Sequence, residues 1–246
     1  MDVKELAKEY CYRKQVETFE VGEGSTLKLS ALFRLCQEAS EEHLGIVGLP
    51  YQKLKDDGIV FLFTRMWAKI NRMPRHREPI EVITYPKGLV RAQFYRGFTI
   101  KSGDEILAEA LQGSVAANAE THKILNPKRF LEYGIFTKDG NDRVLDKIVL
   151  PDTLESAGER QVYYSDLDYN GHLNNAVYAD LIGDFMPGGM PGKTIREVQI
   201  NYISECRFGD CLKISTAEQS GRIYFVGENE RGTSFEAYAC LEEKKQ

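Results

Sequence analysis

Apolar residues recur at helical intervals near the start of the chain, where Leu32, Leu35, Cys36, Ala39 and then His43 or Leu44 fall on one face. This spacing predicts a long amphipathic helix, with Ser30 placed to cap it. On either side the period shortens to two, as in strands with one buried face. A strand is expected over 12–21, a short second helix over 51–57, and long strands over 60–70, 80–87, 92–101 and 105–118, with Ser-Gly-Asp at 102–104 as a turn. The order then repeats. A strand over 160–165 leads to a helix of about three turns that opens at Asn174 or Asn175, sets Val177, Leu181, Ile182 and Phe185 on one face and stops before Pro187. Strands follow over 195–205, 211–218, 222–228 and 234–241.

The first strand after each long helix shares a phrase, Ile70-Asn71 in one half and Ile200-Asn201 in the other, which reads as an internal duplication. One helix followed by several antiparallel strands makes each half an α+β unit, a curved sheet wrapped around the helix and burying its apolar face. The charged join with Pro127 and Pro151 divides the chain into a first domain over 1–130, a linker over 131–156 and a second domain over 157–246.

Composition narrows the class. With 246 residues, 42% of them hydrophobic, the chain can fill two cores, which excludes disordered and collagen-like proteins. No apolar run approaches the ~18 residues of a spanning helix, and the charged opening MDVKELAKEY lacks the apolar stretch of a signal peptide. A cytoplasmic protein without membrane insertion is expected. The five cysteines (Cys11, Cys36, Cys206, Cys211, Cys240) are scattered, which suits a reducing compartment, and four histidines with no CxxC pair argue against a metal site. A net charge of -5 disfavours nucleic acid as a partner. Basic clusters remain at Arg72, Arg75 and Arg77, and at Lys123, Lys128 and Arg129; each is either a solvated face or a place to receive a small acidic partner.

The densest chemistry lies at 165–175, Ser-Asp-Leu-Asp-Tyr-Asn-Gly-His-Leu-Asn-Asn, which holds two carboxylates, three asparagines and the second half's sole histidine, His172. As a polar turn it would do no chemistry, since Asp, Asn and Gly all favour turns. As a site it stands just ahead of a helix N-terminus, where backbone N–H groups receive negative charge. Calcium is the third reading, because Asp166, Asp168, Asn170 and Gly171 match the first half of an EF-hand loop. The twelfth position, however, is Val177, where a bidentate Glu is needed.

Several stretches together resemble one family. In the first half these are LSALFRLCQEASEEH and FTRMWAKINRMPRHREPIEVITYPKG; in the second, DLDYNGHLNN and NYISEC. They resemble the acyl-acyl carrier protein (acyl-ACP) thioesterases, bacterial relatives of the plant plastid enzymes that end fatty acid synthesis. The resemblance implies a tandem hot-dog fold, and hydrolysis of fatty acyl-ACP to free fatty acid with acyl carrier protein as partner. It also implies a catalytic set of Asp168, Asn170, His172, Glu205 and Cys206. One departure is Val115, where the family has an aromatic residue. A homodimer is compatible with this reading, and no cofactor is called for.

Thioester hydrolysis needs a nucleophile, a proton shuttle and donors for the developing oxyanion. Histidine is the side chain best suited to pass protons at neutral pH, so His172 is the expected shuttle. Glu205 is the expected base for water and Asp168 an orienting group, with direct attack by Asp168 as a variant. Asn170 or helix-start N–H groups would polarise the carbonyl. Cys206 as nucleophile ranks below the carboxylates, because a neighbouring Glu disfavours a thiolate; seen alone, Cys206 is equally a small buried hydrophobe and Glu205 a solvated strand residue. The first half lacks the Asp-Asn-His set, so it is expected to supply an acyl tunnel, with Leu35, Phe61, Phe63, Met66 and Trp67 as lining or, alternatively, as core. Arg72, Arg75, Arg77, Lys123 and Arg129 would form a rim that docks the carrier protein. An acyl-coenzyme A thioesterase and a non-catalytic acyl-binding module are the rival functions.

Overall fold

The computed structural model of the protein describes residues 7–135 and 144–243, so the middle of the expected linker lies outside the described residues. Chain order is β1 (Tyr10–Gln15), α1 (Leu29–Ile46), α2 (Tyr51–Asp56), β2 (Ile59–Ile70), β3 (Pro79–Val90), β4 (Gln93–Ser102), β5 (Glu105–Asn118) and α3 (Lys128–Leu131), then β6 (Glu155–Gln161), α4 (Val177–Asp184), β7 (Lys193–Tyr202), β8 (Cys211–Gln219), β9 (Arg222–Asn229) and β10 (Gly232–Glu243). Two compact units result. One takes the residues up to Met66 and Asn71–Leu145, the other Trp67–Ile70 and the residues from Asp146 onward.

The strand orders correspond term by term: β1-β3-β4-β5-β2 in the first unit and β6-β8-β9-β10-β7 in the second. Pairing is antiparallel at β1/β3, β3/β4 and β4/β5, and again at β6/β8, β8/β9, β9/β10 and β10/β7. The duplication read from the sequence is therefore a duplication of topology, and the α+β class holds in each unit.

In the first unit, α1 buries Leu32, Leu35, Cys36, Ala39 and His43 and packs on β1 and β3. Each fully buried leucine of that face contributes about 2 kcal/mol. Gly48, at φ 80°, closes the helix, and the Leu49 N–H then bonds to Leu44 O at 2.8 Å. Ser30 is not the cap; Lys28 holds that place, and Ser30 is buried in the first turn. In the second unit, α4 lays Tyr178 against Tyr202 of β7 and Phe235 of β10, with ring centroids 5.4 and 5.1 Å apart. It has eight residues, shorter than the expected three turns. Asn174 opens it from outside: its Oδ1 accepts the Ala176 N–H at 2.9 Å, with Ala176 at the cap position.

Three expected strands end early, each because a distant or polar group captures the backbone. The strand expected to reach residue 21 stops at Gln15, since Glu20 folds back to accept the Glu17 N–H at 2.8 Å and an ion pair from Lys14 at 2.5 Å. The strand expected over 160–165 stops at Gln161 and gives way to a 3-10 turn, because Asp166 accepts the Tyr163 N–H at 2.7 Å and both Arg160 Nη atoms at 2.5 and 2.8 Å. The strand expected to reach Glu205 stops at Tyr202, because Ser234 O takes the N–H groups of both Ile203 and Ser204. Side-chain acceptors competing for backbone donors are the common cause in the first two.

Candidate active site

Residues 168–172 form a closed hairpin. Leu167 and Leu173 pair across it, and the Asp168 N–H donates to His172 O at 2.8 Å. Gly171 takes the left-handed place, φ 79°, that a three-residue hairpin loop requires. Asp168 is the clasp: its Oδ1 accepts the N–H groups of Asn170 (2.8 Å) and His172 (3.1 Å), and its carbonyl accepts that of Gly171 (3.0 Å). Ala176 and Val177 in turn donate to Asn174. Asn170 is exposed and His172 half-buried.

The loop after β7 supplies the partner. Arg207 pairs with His172, and the Leu173 N–H donates to Cys206 O at 2.8 Å, so the hairpin and this loop lie side by side. There His172 Nε2 meets Glu205 Oε2 at 3.1 Å, with side chains 21% and 37% exposed. An imidazole facing a carboxylate, both reachable from solvent, can share and pass a proton. Cys206 differs. It is fully buried, and its Sγ lies 2.8 Å from Ser234 Oγ, with Asn229 Nδ2 at 3.6 Å. His172 and Glu205 are thus brought together, with Asp168 and Asn170 on the hairpin that carries His172, while the Cys206 thiol is buried against Ser234.

The first unit repeats this scaffold bond for bond. Val21 pairs with Leu27 as Leu167 pairs with Leu173, and Thr26 with Arg75 as His172 with Arg207. The Gly22 N–H donates to Thr26 O as Asp168 does to His172 O, and Leu27 to Pro74 O as Leu173 to Cys206 O. Arg75 bonds Glu78 through its N–H as Arg207 bonds Asp210. Superposing these patterns puts Gly22, Gly24, Thr26 and Met73 where the second unit has Asp168, Asn170, His172 and Glu205. The same architecture is present twice, and the Asp, Asn, His and Glu of the second copy are replaced at those four positions of the first.

The remaining sequence candidates are distributed more widely. Phe61 lies edge-on against Phe94 and Phe130, with centroids 5.7 and 4.6 Å away, in a first-unit cluster with Leu49, Leu54 and Ile59. Leu35 and Met66 are buried and Phe63 half-buried. Trp67 falls with the second unit, where its Nε1 donates to Glu197 Oε1 at 2.7 Å, beside the Tyr238 hydroxyl at 2.9 Å. The five cations do not form one rim. Arg72 binds Glu105 at the first residue of β5, whereas the Asn118 N–H at its last residue donates to Lys123 O. Those ends are thirteen residues apart along β5. Arg129 is on the Lys123 side, its Nη2 on Asp57 O at 2.8 Å, and exposed Arg75 and Arg77 are on the Arg72 side. Arg72 is committed twice, doubly to Glu78 and again to Glu105, which holds Glu78 down at about 2.

Sequence reasoning missed Ser204, Asn229, Arg231 and Ser234, which hold the Glu205 loop; nothing local marks them. Among the described residues no group of His, Cys, Asp and Glu is arranged to hold a metal, and no helix is long and apolar enough to cross a membrane.

Two family models match, the acyl-ACP thioesterase N-terminal domain over 7–127 and the acyl-ACP thioesterase C-terminal domain over 152–241. The chain belongs to the acyl-ACP thioesterase family. A chloroplastic oleoyl-acyl carrier protein thioesterase of Coriandrum sativum is 22% identical over 228 residues, 83% of this chain and 61% of that protein. The chain therefore spans about three-fifths of the length of this curated family member. Among solved structures, an acyl-ACP thioesterase from Bacteroides thetaiotaomicron VPI-5482 matches with a TM-score of 0.84 at 21% identity, covering 98% of this chain and 100% of that one. A 12:0-ACP thioesterase from Umbellularia californica matches with a TM-score of 0.79 at 19% identity, covering 96% and 98%. At such identities the likeness carries the fold, the tandem hot-dog of this thioesterase family.

Proposed function

We propose that this protein hydrolyses the thioester of fatty acyl-ACP, releasing free fatty acid and ending chain elongation. The observation that carries the reading is His172 Nε2 at 3.1 Å from Glu205 Oε2, on a hairpin clasped by Asp168, within a chain whose two halves both match the family. Glu205 takes a proton from water as the water attacks the acyl carbon, and the Asn170 amide receives the developing oxyanion. The intermediate collapses, the carbon–sulfur bond breaks, and the proton that Glu205 removed from water passes to His172 across their 3.1 Å contact and from His172 to the leaving thiolate, which returns both groups to their starting state. Asp168 holds His172 in place; attack by Asp168 through an anhydride is the variant. Water and these side chains complete the reaction without a cofactor.

The first unit, which lacks the Asp-Asn-His-Glu set at the matching positions, is assigned the acyl chain, with Leu35, Phe61, Phe63, Met66 and Trp67 as lining; the domains are taken as 1–130 and 157–246 with a linker over 131–156. Carrier-protein docking is assigned to one of the two basic ends. Five unpaired cysteines favour a reducing cytoplasm. All the catalytic groups come from one chain, so a homodimer adds nothing the chemistry needs. The test is thiol release from acyl-ACP and acyl-coenzyme A thioesters of short to long chains. Faster turnover of the carrier-protein thioesters is expected; preference for coenzyme A would make this an acyl-coenzyme A thioesterase, and binding without turnover a non-catalytic module.

A further inference from the structure

Glu205 stands on no helix or strand, yet the three carbonyls around it are all held. Ser204 O accepts Ser234 Oγ at 3.0 Å, Glu205 O accepts Arg231 Nη2 at 3.2 Å, and Cys206 O accepts the Leu173 N–H at 2.8 Å. Two of these donors come from the hairpin that joins β9 to β10. That hairpin also takes the Ile203 and Ser204 N–H groups on Ser234 O, and the Ser204 hydroxyl on Thr233 O at 2.9 Å.

Ser234 sits at an irregularity. Thr233 pairs with Glu228 and Phe235 with Gly227, so Ser234 is the extra residue of a bulge and is left out of the β9 ladder. The bulge is braced by packing. Phe235 is fully buried against Tyr178, and its ring passes so close to Gly227 that a Cβ there would meet it at 2.1 Å. With the backbone displaced in this way, the fully buried Ser234 hydroxyl meets three groups: Ser204 O, Cys206 Sγ at 2.8 Å and the Tyr178 hydroxyl at 3.2 Å. A serine has one proton to give and two lone pairs to fill. The proton goes to Ser204 O, so Cys206 and Tyr178 are the donors to Ser234. The Cys206 thiol proton is thereby spent on holding the loop.

We propose that Ser234 is a positioning residue for the reaction, the buried bulge hydroxyl that fixes the Glu205 loop and aims its carboxylate at His172, with Arg231 as the second, exposed tie. This rests on the hydrolytic reading above and deepens it. Ser234 is fully buried and so acts from behind the site. Displacing a reacting group by a fraction of an ångström is costly, so Ser234→Ala should lower kcat about tenfold to a hundredfold with KM little changed. Arg231→Gln, a surface change, should lower kcat several-fold, and keeps the test open if Ser234→Ala does not fold.

The deciding experiment places both changes in a Glu205→Gln background and measures single-turnover hydrolysis of an acyl-ACP thioester, with circular dichroism to verify folding. If Ser234 acts through Glu205, its removal should cost less than about twofold once that carboxylate is gone. An equal cost in both backgrounds would overturn the inference, since the hydroxyl would then serve something else. So would folded Ser234→Ala and Arg231→Gln proteins with wild-type kcat, while wild-type and impaired Glu205→Gln activities would leave the hydrolytic reading standing. A wild-type protein that cleaves no thioester would overturn both.

Discussion

His172 and Glu205 meet at 3.1 Å although thirty-three positions separate them, because Leu173 donates to Cys206 O and His172 pairs with Arg207. Backbone bonds on either side of each residue, not the side chains themselves, set that distance. In the first unit the same backbone bonds join Thr26 and Met73, and nothing can pass between them.

Removing the base should stop chemistry and spare the fold. Glu205→Gln is expected to lower kcat by about 10² to 10⁴ with little change in melting temperature. Near-wild-type turnover in a folded protein would take Glu205 out of the mechanism.

Asp168 offers a sharper choice. Its Oδ1 already holds two backbone amides, and Asn keeps an acceptor there while losing the nucleophile. If Asp168 only orients, Asp168→Asn should retain most of kcat and Asp168→Ala should lose about a hundredfold. Equal loss in both would favour attack by the carboxylate.

Cys206→Ser should stay active, because serine can make the same hydrogen bond to Ser234 Oγ. In the wild type, iodoacetamide should reach exposed Cys211 before buried Cys206. An acyl group trapped on Cys206, seen by mass spectrometry, would reverse this ranking.

The separation of the cations along β5 makes docking testable by halves. Reversing Arg75 and Arg77 to Glu, or Lys123 and Arg129 to Glu, should raise KM for acyl-ACP several-fold in one pair alone, in a salt-dependent way, and leave a short coenzyme A thioester unaffected. No effect from either pair would place the carrier elsewhere.

Glu78 gives a pH prediction. Its bonds to Arg72 lower it from the usual carboxylate value to about 2, so the stabilisation is present above its unfolded value near 4.5 and is lost as pH falls toward 2. Glu78→Gln should remove on the order of 2 kcal/mol at neutral pH and flatten the acid limb between those values. An unchanged urea midpoint at pH 7 would show the pair to be neutral.

Periodicity alone determined a good deal of this protein. Strand β5 was expected over the residues it occupies, α1 was placed by Leu32, Leu35, Cys36 and Ala39, and the repeat was legible in the order of elements, because alternation and helical spacing record which face each segment buries. The cluster from Asp168 to His172 was legible as well, being a single local hairpin. What only the tertiary structure decided were relationships between distant positions. Arg160 and Asp166 turned an aromatic strand signal into a 3-10 turn. Ser234 ended β7, and residues 72–77 were set far from Lys123 by the length of β5. A residue's identity states which bonds it can make; which partner is within reach depends on how the sheet is ordered, and that is written in no single segment.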